Sequence, residues 1–461
     1  MGQGRMEDSA NQRAALLVTT TGSFLTPFMG SSVNIALPAI GREFSMDAVL
    51  LSWVSSSYIL AAAMFLVPFG RSADIYGRKR ILTWGMMIYT LFSFFCGISS
   101  SSLMLISSRI LQGIGSSMIF STGVAIVTSV FPEGERGKAL GINVASVYLG
   151  LSLGPFFGGV LTEHLGWRSI FLINVPLGLV VVASIYWKLK GEWAAARGEK
   201  FDFFGSIIYS LTLVAIMFGF AQLPRESGEA ILLLGALGLW AFIRWEIKMK
   251  SPVLDISLFQ KNRVFAFSNL AALINYSATF GVGFLLSLYL QYIKGYSPLH
   301  AGSILALQPA TQAALSPFAG RLSDKIEPQI VASMGMGFTV GGLSLLAFLR
   351  ENTGLEFILI SLLLLGVGFA LFSSPNTNAV MSSVERPFYG VASGTLATMR
   401  MVGQMLSMGI ASMLFAVYIG RVQITAASYP FFLQSARAAF FIFATLCFGG
   451  IFASLARGKV R

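Results

Sequence analysis

The sequence predicts an all-α integral membrane protein with about fourteen transmembrane helices. Hydrophobic residues make up 55% of the chain and charged residues only 11%, whereas soluble proteins carry about 25% charged residues. Apolar stretches of roughly 20 residues recur along the whole sequence, and each is long enough to cross the ~30 Å hydrocarbon layer as a helix. Because no stretch alternates as a β-strand does, helices are favoured over a barrel.

The apolar stretches define the predicted spans. The first one follows the polar segment 1–13 and is too long for the core of a cleaved signal peptide, so we interpret it as a permanent span. The predicted spans are 14–40, 48–70, 81–99, 103–130, 138–162, 169–187, 203–221, 229–246, 264–293, 299–319, 329–349, 355–381, 388–419 and 436–455.

The basic residues indicate the orientation of the chain. The net charge is +12, and most Lys and Arg residues fall in loops on the side of the amino terminus. A basic excess marks the cytoplasmic face, and an even number of spans returns the carboxyl terminus to that face. We therefore predict a multi-pass protein of the inner membrane with both ends in the cytoplasm. We expect a monomer in contact with the lipid bilayer, and no nucleic-acid partner, because the basic residues form no folded basic domain.

An internal repeat predicts a duplicated architecture. Gly70-Arg71-Ser72-Ala73-Asp74 and Gly320-Arg321-Leu322-Ser323-Asp324 each follow the second long span of a half. Repeats of this kind are typical of secondary transporters. The predicted segments are a tail at 1–13, a six-helix bundle at 14–190, two inserted helices at 203–246, a second six-helix bundle at 264–455 and a tail at 456–461.

The loop Gly70–Arg80 places one acid and four cations between two spans. Gly77 allows a tight turn, and Asp74 can pair with Arg78 or accept hydrogen bonds from a neighbouring helix amino terminus. The alternative is a loop whose positive charge only sets the topology. The predicted cytoplasmic gate comprises Gly70, Asp74, Gly77, Arg78, Arg321 and Asp324.

The fifth span carries glycines at a spacing of four, Gly150, Gly154 and Gly158, which make a flat helix face. Pro155 removes a helix hydrogen bond and favours a bend. With Gly159, these residues predict a hinge that rocks against a partner helix. Static close packing explains the same spacing.

Arg109 and Arg400 are the only ionisable residues that we place deep within spans. Each costs about 2.5–3.5 kcal/mol at a helix centre on the insertion scale, which favours a functional role. Arg109 could instead bond to carbonyls of neighbouring helices, and Arg400 could hold its helix through Gln404, one turn away.

Polar residues within the central spans are candidates for a substrate cavity, because polar groups favour the bundle interior over lipid. Thr26, Gly30 and Asn34 recur on one face of the first helix. Each candidate could instead bond to another helix. The remaining candidates are Gln112, Asn143, Tyr148, Asn275, Tyr276, Gln308, Gln312, Asn376 and Asn378.

The sequence contains no arrangement of residues that indicates an enzyme. His164 and His300 lie near span ends with no Cys or carboxylate cluster for a metal, and we interpret them as solvated loop residues. No G-x-x-x-x-G-K-[ST] phosphate loop occurs. We expect no cofactor, no metal and no direct use of ATP.

Several of these motifs resemble those of the major facilitator superfamily. The loop Gly70–Arg80 is similar to its signature G-x-L-a-D-r-x-G-r-k, with Ser72 in place of the usual Leu. Leu105–Gly115 resembles the fourth-helix motif, and Gly150–Gly159 resembles the fifth-helix motif of the antiporters. The likeness runs through 14–455 and resembles the fourteen-helix branch of the drug/proton antiporters, which are multidrug efflux transporters. Further matches are Gly166-Trp167-Arg168, Asn174, Pro176, Tyr289-Leu290-Gln291, Gly390, Arg400 and Gly403.

The resemblance implies two six-helix bundles, with two extra helices, around a cavity that opens to alternate sides. It implies a role for Arg109 in proton coupling or in linking the cavity to the gate. One departure matters: the relatives carry D-x-T-x-x-N-x-A-L-P in the first span, and Met29 stands at the acidic position. Because a thioether cannot exchange a proton for a cation, we expect neutral or anionic amphiphiles as substrates.

The predicted function is efflux of small amphipathic molecules by alternating access, with protons as the candidate coupling ion. An uncoupled facilitator or metabolite carrier is the alternative within transport. A ligand sensor of the same fold, which moves nothing, is the alternative outside it.

Overall fold

The structure, a computed structural model, describes residues 2–323, 325–385 and 389–458, without the side chains of 2–9, 133 and 134. The described residues form helices joined by short connections and contain no strand. The helices are α1 Gly2–Glu43, α2 Ala48–Tyr76, α3 Arg78–Gly97, α4 Ser102–Val130, α5 Glu133–Leu165, α6 Arg168–Leu172, α7 Asn174–Lys188, α8 Phe203–Gln222, α9 Glu226–Glu246, α10 Ile256–Lys261, α11 Arg263–Leu288, α12 Pro298–Leu305, α13 Leu307–Ser323, α14 Pro328–Leu346, α15 Leu355–Ser382, α16 Tyr389–Tyr418 and α17 Tyr429–Ala456.

Thirteen helical stretches of the described residues are long and apolar enough to cross a membrane. The predicted span 299–319 is also helical, but it breaks at Ala306 into α12 and α13. Pro309 gives the physical reason, because it has no N–H to donate to the carbonyl of Leu305. With this broken helix, the described residues contain fourteen helical segments at the predicted spans, and the predicted all-α membrane fold is confirmed.

The helices pack as two groups and an inserted pair. In the first half, α1–α7, helix α1 packs along α5 and α2 packs on α4. In the second half, α11–α17, helix α11 packs on α16 and α14 on α15. The inserted hairpin, α8–α9, contacts both halves, since α8 lies against α2 and α16. The exact segment boundaries drawn from the sequence stay predictions.

The described residues near both ends of the chain lie on one side of the bundle, which we call the terminal face: Asn11 donates to the Lys190 carbonyl, and Arg457 donates to the Pro328 carbonyl at the start of α14. The loop between α2 and α3 is on that side, and the turn between α1 and α2 is on the other, which we call the opposite face. The two halves touch directly through α2 with α16 and through α5 with α12.

Candidate functional site

The opposite face is closed by hydrogen bonds between the halves. Ser287 Oγ donates to the Asn34 carbonyl at 2.6 Å, and Gln291 Nε2 donates to the Ile35 carbonyl at 2.9 Å. The further bonds on this side are Ser52 Oγ to Ser412 Oγ at 2.7 Å, Leu299 N to Glu163 Oε2 at 2.9 Å and Ala48 N to the Val422 carbonyl at 3.0 Å.

Polar and aromatic side chains meet between the halves at mid-depth. Tyr148 Oη lies 2.7 Å from Ser373 Oγ, which joins α5 to α15, and Tyr148 also bonds to Gln312. Among the described residues, no hydrogen bond between the halves lies closer to the terminal face than this one. We call Tyr148, Tyr276, Gln312, Phe369, Ser373, Thr377 and Arg400 the central cluster.

Arg400 is the cation of the central cluster. Its Nη2 donates to Thr377 Oγ1 at 2.7 Å, so its observed partner is Thr377 on α15 rather than the predicted Gln404. Its guanidinium lies 5.6 Å from the centroid of the Tyr276 ring, and that ring packs edge-on against Phe369 at 5.8 Å. Its Nε is buried without a partner among the described residues, so one donor remains available.

Arg109 is bonded entirely within the first half. The side chain is 1% exposed, its Nε donates to the Val54 carbonyl at 3.0 Å and its Nη1 donates to Gln112 Oε1 at 2.6 Å. The guanidinium also lies 4.2 Å from the centroid of the Tyr58 ring, and Gln112 donates to Ser93 on α3 at 2.7 Å. Arg109 thus ties α2 and α4 together, and its predicted coupling role stays a prediction.

Several cavity candidates lie inside one half rather than between the halves. Asn143 accepts a bond from Ser23 of α1, and Asn275 is fully buried next to Cys447 of α17. Met29 is also fully buried. Asn143 and Asn275 thus bond to other helices, which is the alternative given for them above.

The candidates on the inner helix faces are placed differently. Asn34 accepts from Ser55 Oγ at 2.9 Å while its carbonyl bonds the second half. A Cβ added at Gly30 would meet nothing within 4 Å, so space remains along this side of α1. Gln308 and Gln404 are half-buried, and Asn378 donates weakly to Ser323 at 3.4 Å.

Sequence reasoning missed three buried charged residues, which lie at helix ends rather than deep within spans. Arg457, which we predicted in a tail, is fully buried. Its Nη1 donates to Asn376 Oδ1 at 3.0 Å and its Nη2 to the Pro328 carbonyl at 2.9 Å. Burial lowers the pKa of Arg457 to about 10.

Asp202 and Glu246 are the other two, at the terminal-face ends of α8 and α9. They are 4% and 2% exposed. Asp202 caps α8 by accepting from Gly205 N and also accepts from Trp245 Nε1, each at 2.9 Å. Glu246 Oε2 accepts from Leu254 N at 2.9 Å, while its Oε1 has no partner among the described atoms. Asp is a typical N-cap residue, and Asp202 stands directly before the apolar run of α8. This pattern could have identified Asp202 from the sequence.

The predicted gate loop, 70–80, is helical except at Gly77: Asp74 lies in the last turn of α2 and Arg78 begins α3. We keep the name gate loop for this segment. Asp74 Oδ1 accepts from Arg78 Nε at 2.9 Å and from Nη2 at 2.7 Å. Arg78 Nη1 donates to Ser129 Oγ on α4 at 2.6 Å. Of the two options for Asp74, the structure gives the pair with Arg78.

A strap, residues 189–199, covers this loop. Ala196 N donates to the Asp74 carbonyl at 2.9 Å, and Arg78 N donates to the Trp193 carbonyl at 2.8 Å. Gly77 has φ +117°, and a Cβ there would run into the Glu192 side chain. Only glycine combines this backbone conformation with this approach.

Glu199 connects the strap to both sides. It pairs with Arg71 of the loop at 2.5 Å and accepts from Ser251 Oγ, in the segment before α10, at 2.8 Å. The bond from Ser251 and then the charge of Arg71 lower the pKa of Glu199. In the second half, Arg321 is exposed, and Asp324 lies outside the described residues.

The glycines of the fifth span lie at close backbone contacts. A Cβ at Gly150 would lie 2.5 Å from the Phe24 carbonyl, and one at Gly158 would lie 2.8 Å from the Ser32 Cα. One at Gly154 would overlap Ser31, and Ser32 Oγ donates to the Gly154 carbonyl at 2.8 Å. The flat face therefore packs against α1, and the hinge stays a prediction.

A groove of about 840 Å³ lies away from the central cluster, between α14 and α17 on the outer side of the second half. Phe348, Arg437, Phe441 and Phe448 line it. Within the described part of the chain, no three His, Cys, Asp or Glu side chains lie together as a metal site requires.

The family profile of the Major Facilitator Superfamily matches residues 19–242 and 268–459. The chain belongs to the major facilitator superfamily. This superfamily is a class of membrane transporters rather than of enzymes, so the coarse prediction of a membrane transporter is confirmed. The fourteen-helix antiporter branch is a finer assignment that this match does not test.

Similar members of the superfamily carry several functional names. The chain is 32% identical over 439 residues to the riboflavin transporter RibZ of Clostridioides difficile (strain 630), covering 95% of each chain. It is 31% identical to the cephamycin export protein CmcT of Amycolatopsis lactamdurans, over 87% of this chain and 84% of that protein. It is 30% identical to the multidrug resistance protein Stp of Mycobacterium tuberculosis (strain CDC 1551 / Oshkosh), over 88% of this chain and 76% of that protein.

Solved structures of other transporters share the fold. A bacterial homolog of the human lysosomal transporter Spinster, inward-facing and unoccupied, superimposes with a TM-score of 0.71 at 16% identity and 97% coverage of both chains. A mutant of the peptide transporter POT in complex with alafosfalin gives a TM-score of 0.70 at 17% identity, covering 97% of this chain and 98% of that one. At these identities the likeness concerns the fold alone.

Proposed function

We propose that this member of the superfamily exports small amphipathic molecules by alternating access and belongs to the fourteen-helix branch of the drug/proton antiporters. The observation that carries the proposal is the central cluster, whose polar and aromatic groups join α5 to α15 and α16 at mid-depth. The bonds between the halves lie from this depth to the opposite face. A substrate held at the cluster would reach the other side once those bonds break.

The chemistry of the central cluster supports neutral or anionic substrates. Arg400 offers a buried, unpartnered Nε, and Tyr148, Tyr276 and Phe369 offer aromatic surface. The described members of the cluster include no carboxylate, and Met29 cannot supply one. A cation at the cluster would meet Arg400 without a balancing charge, whereas an anion or a flat neutral ring can stack and accept a hydrogen bond.

The energy source follows from the same arrangement. Arg109 is the residue that we propose for proton coupling, on the resemblance and on its burial among carbonyl and amide partners. Moving net charge is a second source, because a membrane potential supplies about 2.3 kcal/mol per charge per 100 mV. The gate residues would close the terminal face, and the glycines of α5 would let the helices rock.

Transport by the protein is tested in proteoliposomes. Counterflow of labelled riboflavin without a gradient would demonstrate a carrier, and the 32% identity to RibZ makes this vitamin the first probe. A riboflavin-type metabolite carrier is the second candidate function on the same ground. If riboflavin and a panel of neutral and anionic amphiphiles show no counterflow, a ligand sensor is the better description. Uphill accumulation that needs a pH gradient separates an antiporter from a facilitator.

Substrate charge is tested separately. Arg400→Gln should lower counterflow of an anionic substrate about tenfold, the usual scale for losing one charge-assisted contact. Arg437→Gln is the control, because Arg437 is exposed in the outer groove. Ethidium efflux that follows an imposed proton gradient in the wild type would contradict the preference. Met29→Asp should add cation transport.

The orientation and assembly are part of the proposal. Both ends would lie in the cytoplasm, the protein would reside in the inner membrane and the monomer would be the working unit. Reporter tags at the two ends test the orientation, and reporters on opposite sides of the membrane would overturn it.

A further inference from the structure

Glu163 lies at the opposite-face end of α5, where the first half meets α12 of the second half. Its Oε2 accepts a hydrogen bond from the Leu299 backbone N–H at 2.9 Å, and its carboxylate also bonds the Ser297 hydroxyl. Of the hydrogen bonds between the halves that the described residues form, this one alone involves an ionised group.

The amino terminus of α12 explains why a carboxylate fits here. The first backbone N–H groups of a helix have no partner within it. Pro298 has no N–H, the His300 N–H bonds to Ser297 Oγ at 3.4 Å and the Ala301 N–H bonds to the Ser297 carbonyl at 2.9 Å. The Leu299 N–H remains, and Glu163 of the other half accepts its bond. The positive end of the helix dipole further favours an anion at this point.

The backbones of α5 and α12 touch at this crossing. A Cβ at Gly159 would lie 2.6 Å from the Pro298 carbonyl, and a Cβ at Gly302 would collide with the Pro155 carbonyl. Two glycines thus bring the carboxylate within reach of α12. The histidine that we predicted as a solvated loop residue, His300, lies at this junction, with its Nδ1 3.0 Å from Ser297 Oγ.

We propose that Glu163 caps α12 across the two halves and biases the transporter toward the state that is closed on the opposite face. The cap must be released each time that face opens. This inference rests on the proposed alternating access. Because the two states of such an equilibrium differ little in free energy, the contribution of one exposed carboxylate changes their populations measurably.

The test measures the separation of the halves on the opposite face. Spin labels at Leu165→Cys and Leu355→Cys, which are 70% and 38% exposed, report the distance by pulsed electron paramagnetic resonance in nanodiscs. Both native cysteines are buried, so the introduced ones react. Glu163→Gln should shift the equilibrium toward the larger distance about two- to fivefold, as expected for one charge at a helix terminus.

Two comparisons isolate the charge. Glu163→Lys turns attraction into repulsion. It should therefore shift the equilibrium by roughly the square of the factor measured for Glu163→Gln. Glu351→Gln removes the same charge from the same face, but Glu351 belongs to the second half and its backbone carbonyl accepts from Lys294 of that same half, so no shift is expected. The inference is wrong if Glu163→Gln and Glu163→Lys both give the distances of Glu351→Gln.

Salt supplies an independent readout. Raising the salt concentration from about 0.01 M to 1 M shortens the Debye length from about 30 Å to 3 Å, so wild-type distances should move toward those of Glu163→Gln, which should not change. The distances require no substrate. A carrier without counterflow would therefore refute the transport proposal alone, and active counterflow with unchanged distances would refute the cap alone.

Discussion

The two faces of the protein are held together by different kinds of contact. On the opposite face the halves bond to each other, mostly through neutral groups such as Ser287 with the Asn34 carbonyl and Ser52 with Ser412. On the terminal face the described bonds run within a half or to the strap, and charged groups dominate them, as in Asp74 with Arg78 and Arg71 with Glu199. Neutral hydrogen bonds between the halves break at a small cost in free energy, whereas the charged contacts stabilise the structure within each half.

The difference indicates which parts can move as units. The strap binds the signature loop of the first half and, through Glu199, the segment that leads to the second half. Under the proposed alternating access, closing the terminal face would carry the strap along or release Glu199. The opposite face carries no comparable segment among the described residues, and it can open by losing the bonds between its helices.

Arg457→Ala should have the largest effect on stability. Arg457 holds α15 and α14 together from within the second half, and its loss leaves the Asn376 Oδ1 and the Pro328 carbonyl without their donor in a buried site. We expect a loss of about 2–3 kcal/mol in the free energy of unfolding, measured by thermal and denaturant unfolding in detergent. Arg437→Ala on the same helix is the control. Equal stability of the two variants would contradict the claim that the terminal face is fixed within each half.

Gly77→Ala should come next. The residue at 77 adopts φ +117° and touches Glu192 of the strap, so alanine imposes both backbone strain and a clash. We expect about 1–3 kcal/mol of destabilisation and faster amide hydrogen exchange in 189–199. Gly141→Ala, in a helix with open space around it, is the matched control and should not be destabilised. Unchanged exchange in the strap would mean that Gly77 does not determine its docking.

Ser287→Ala tests the opposite face. It removes the 2.6 Å bond to the Asn34 carbonyl, which is worth about 1 kcal/mol, and it should shift the halves toward separation without a matching loss of helical stability. Ser277→Ala is the control, because Ser277 bonds to the Leu273 carbonyl of its own helix. The same paired spin labels report the distance. A fall in unfolding temperature with no change in the distance between the labels would show that the Ser287 bond stabilises the fold without holding the two halves together.

The sequence predicted the elements that depend on local pattern. Apolar length identified the spans, and glycine spacing identified the α5 face that packs on α1. It missed contacts between segments with no periodicity: the strap binds the loop in part through backbone groups such as Ala196 N, which no side-chain pattern reveals. Arg457 looked like a tail residue because it follows the last apolar run, and only the fold shows the acceptors around it. The bond between Tyr148 and Ser373 joins residues that are 225 positions apart in the sequence, and residue spacing cannot predict such a contact.

Glu246→Gln should have the smallest effect, and its sign is informative. Asp202 and Glu246 are buried together, and neither forms an ion pair with a cation in the described part of the chain. Two like charges in a buried site repel, so a neutral amide that keeps the bond to Leu254 N should leave the free energy of unfolding unchanged or raise it slightly, by up to about 1 kcal/mol. Asp202→Ala is the contrasting variant, because it removes the cap of α8 and should cost about 1 kcal/mol. Unfolding of both variants at pH 7 measures the difference. A loss of several kcal/mol in Glu246→Gln would show that the Glu246 charge itself stabilises the terminal-face end of the inserted hairpin, as the charges of Arg71 and Glu199 do in the strap.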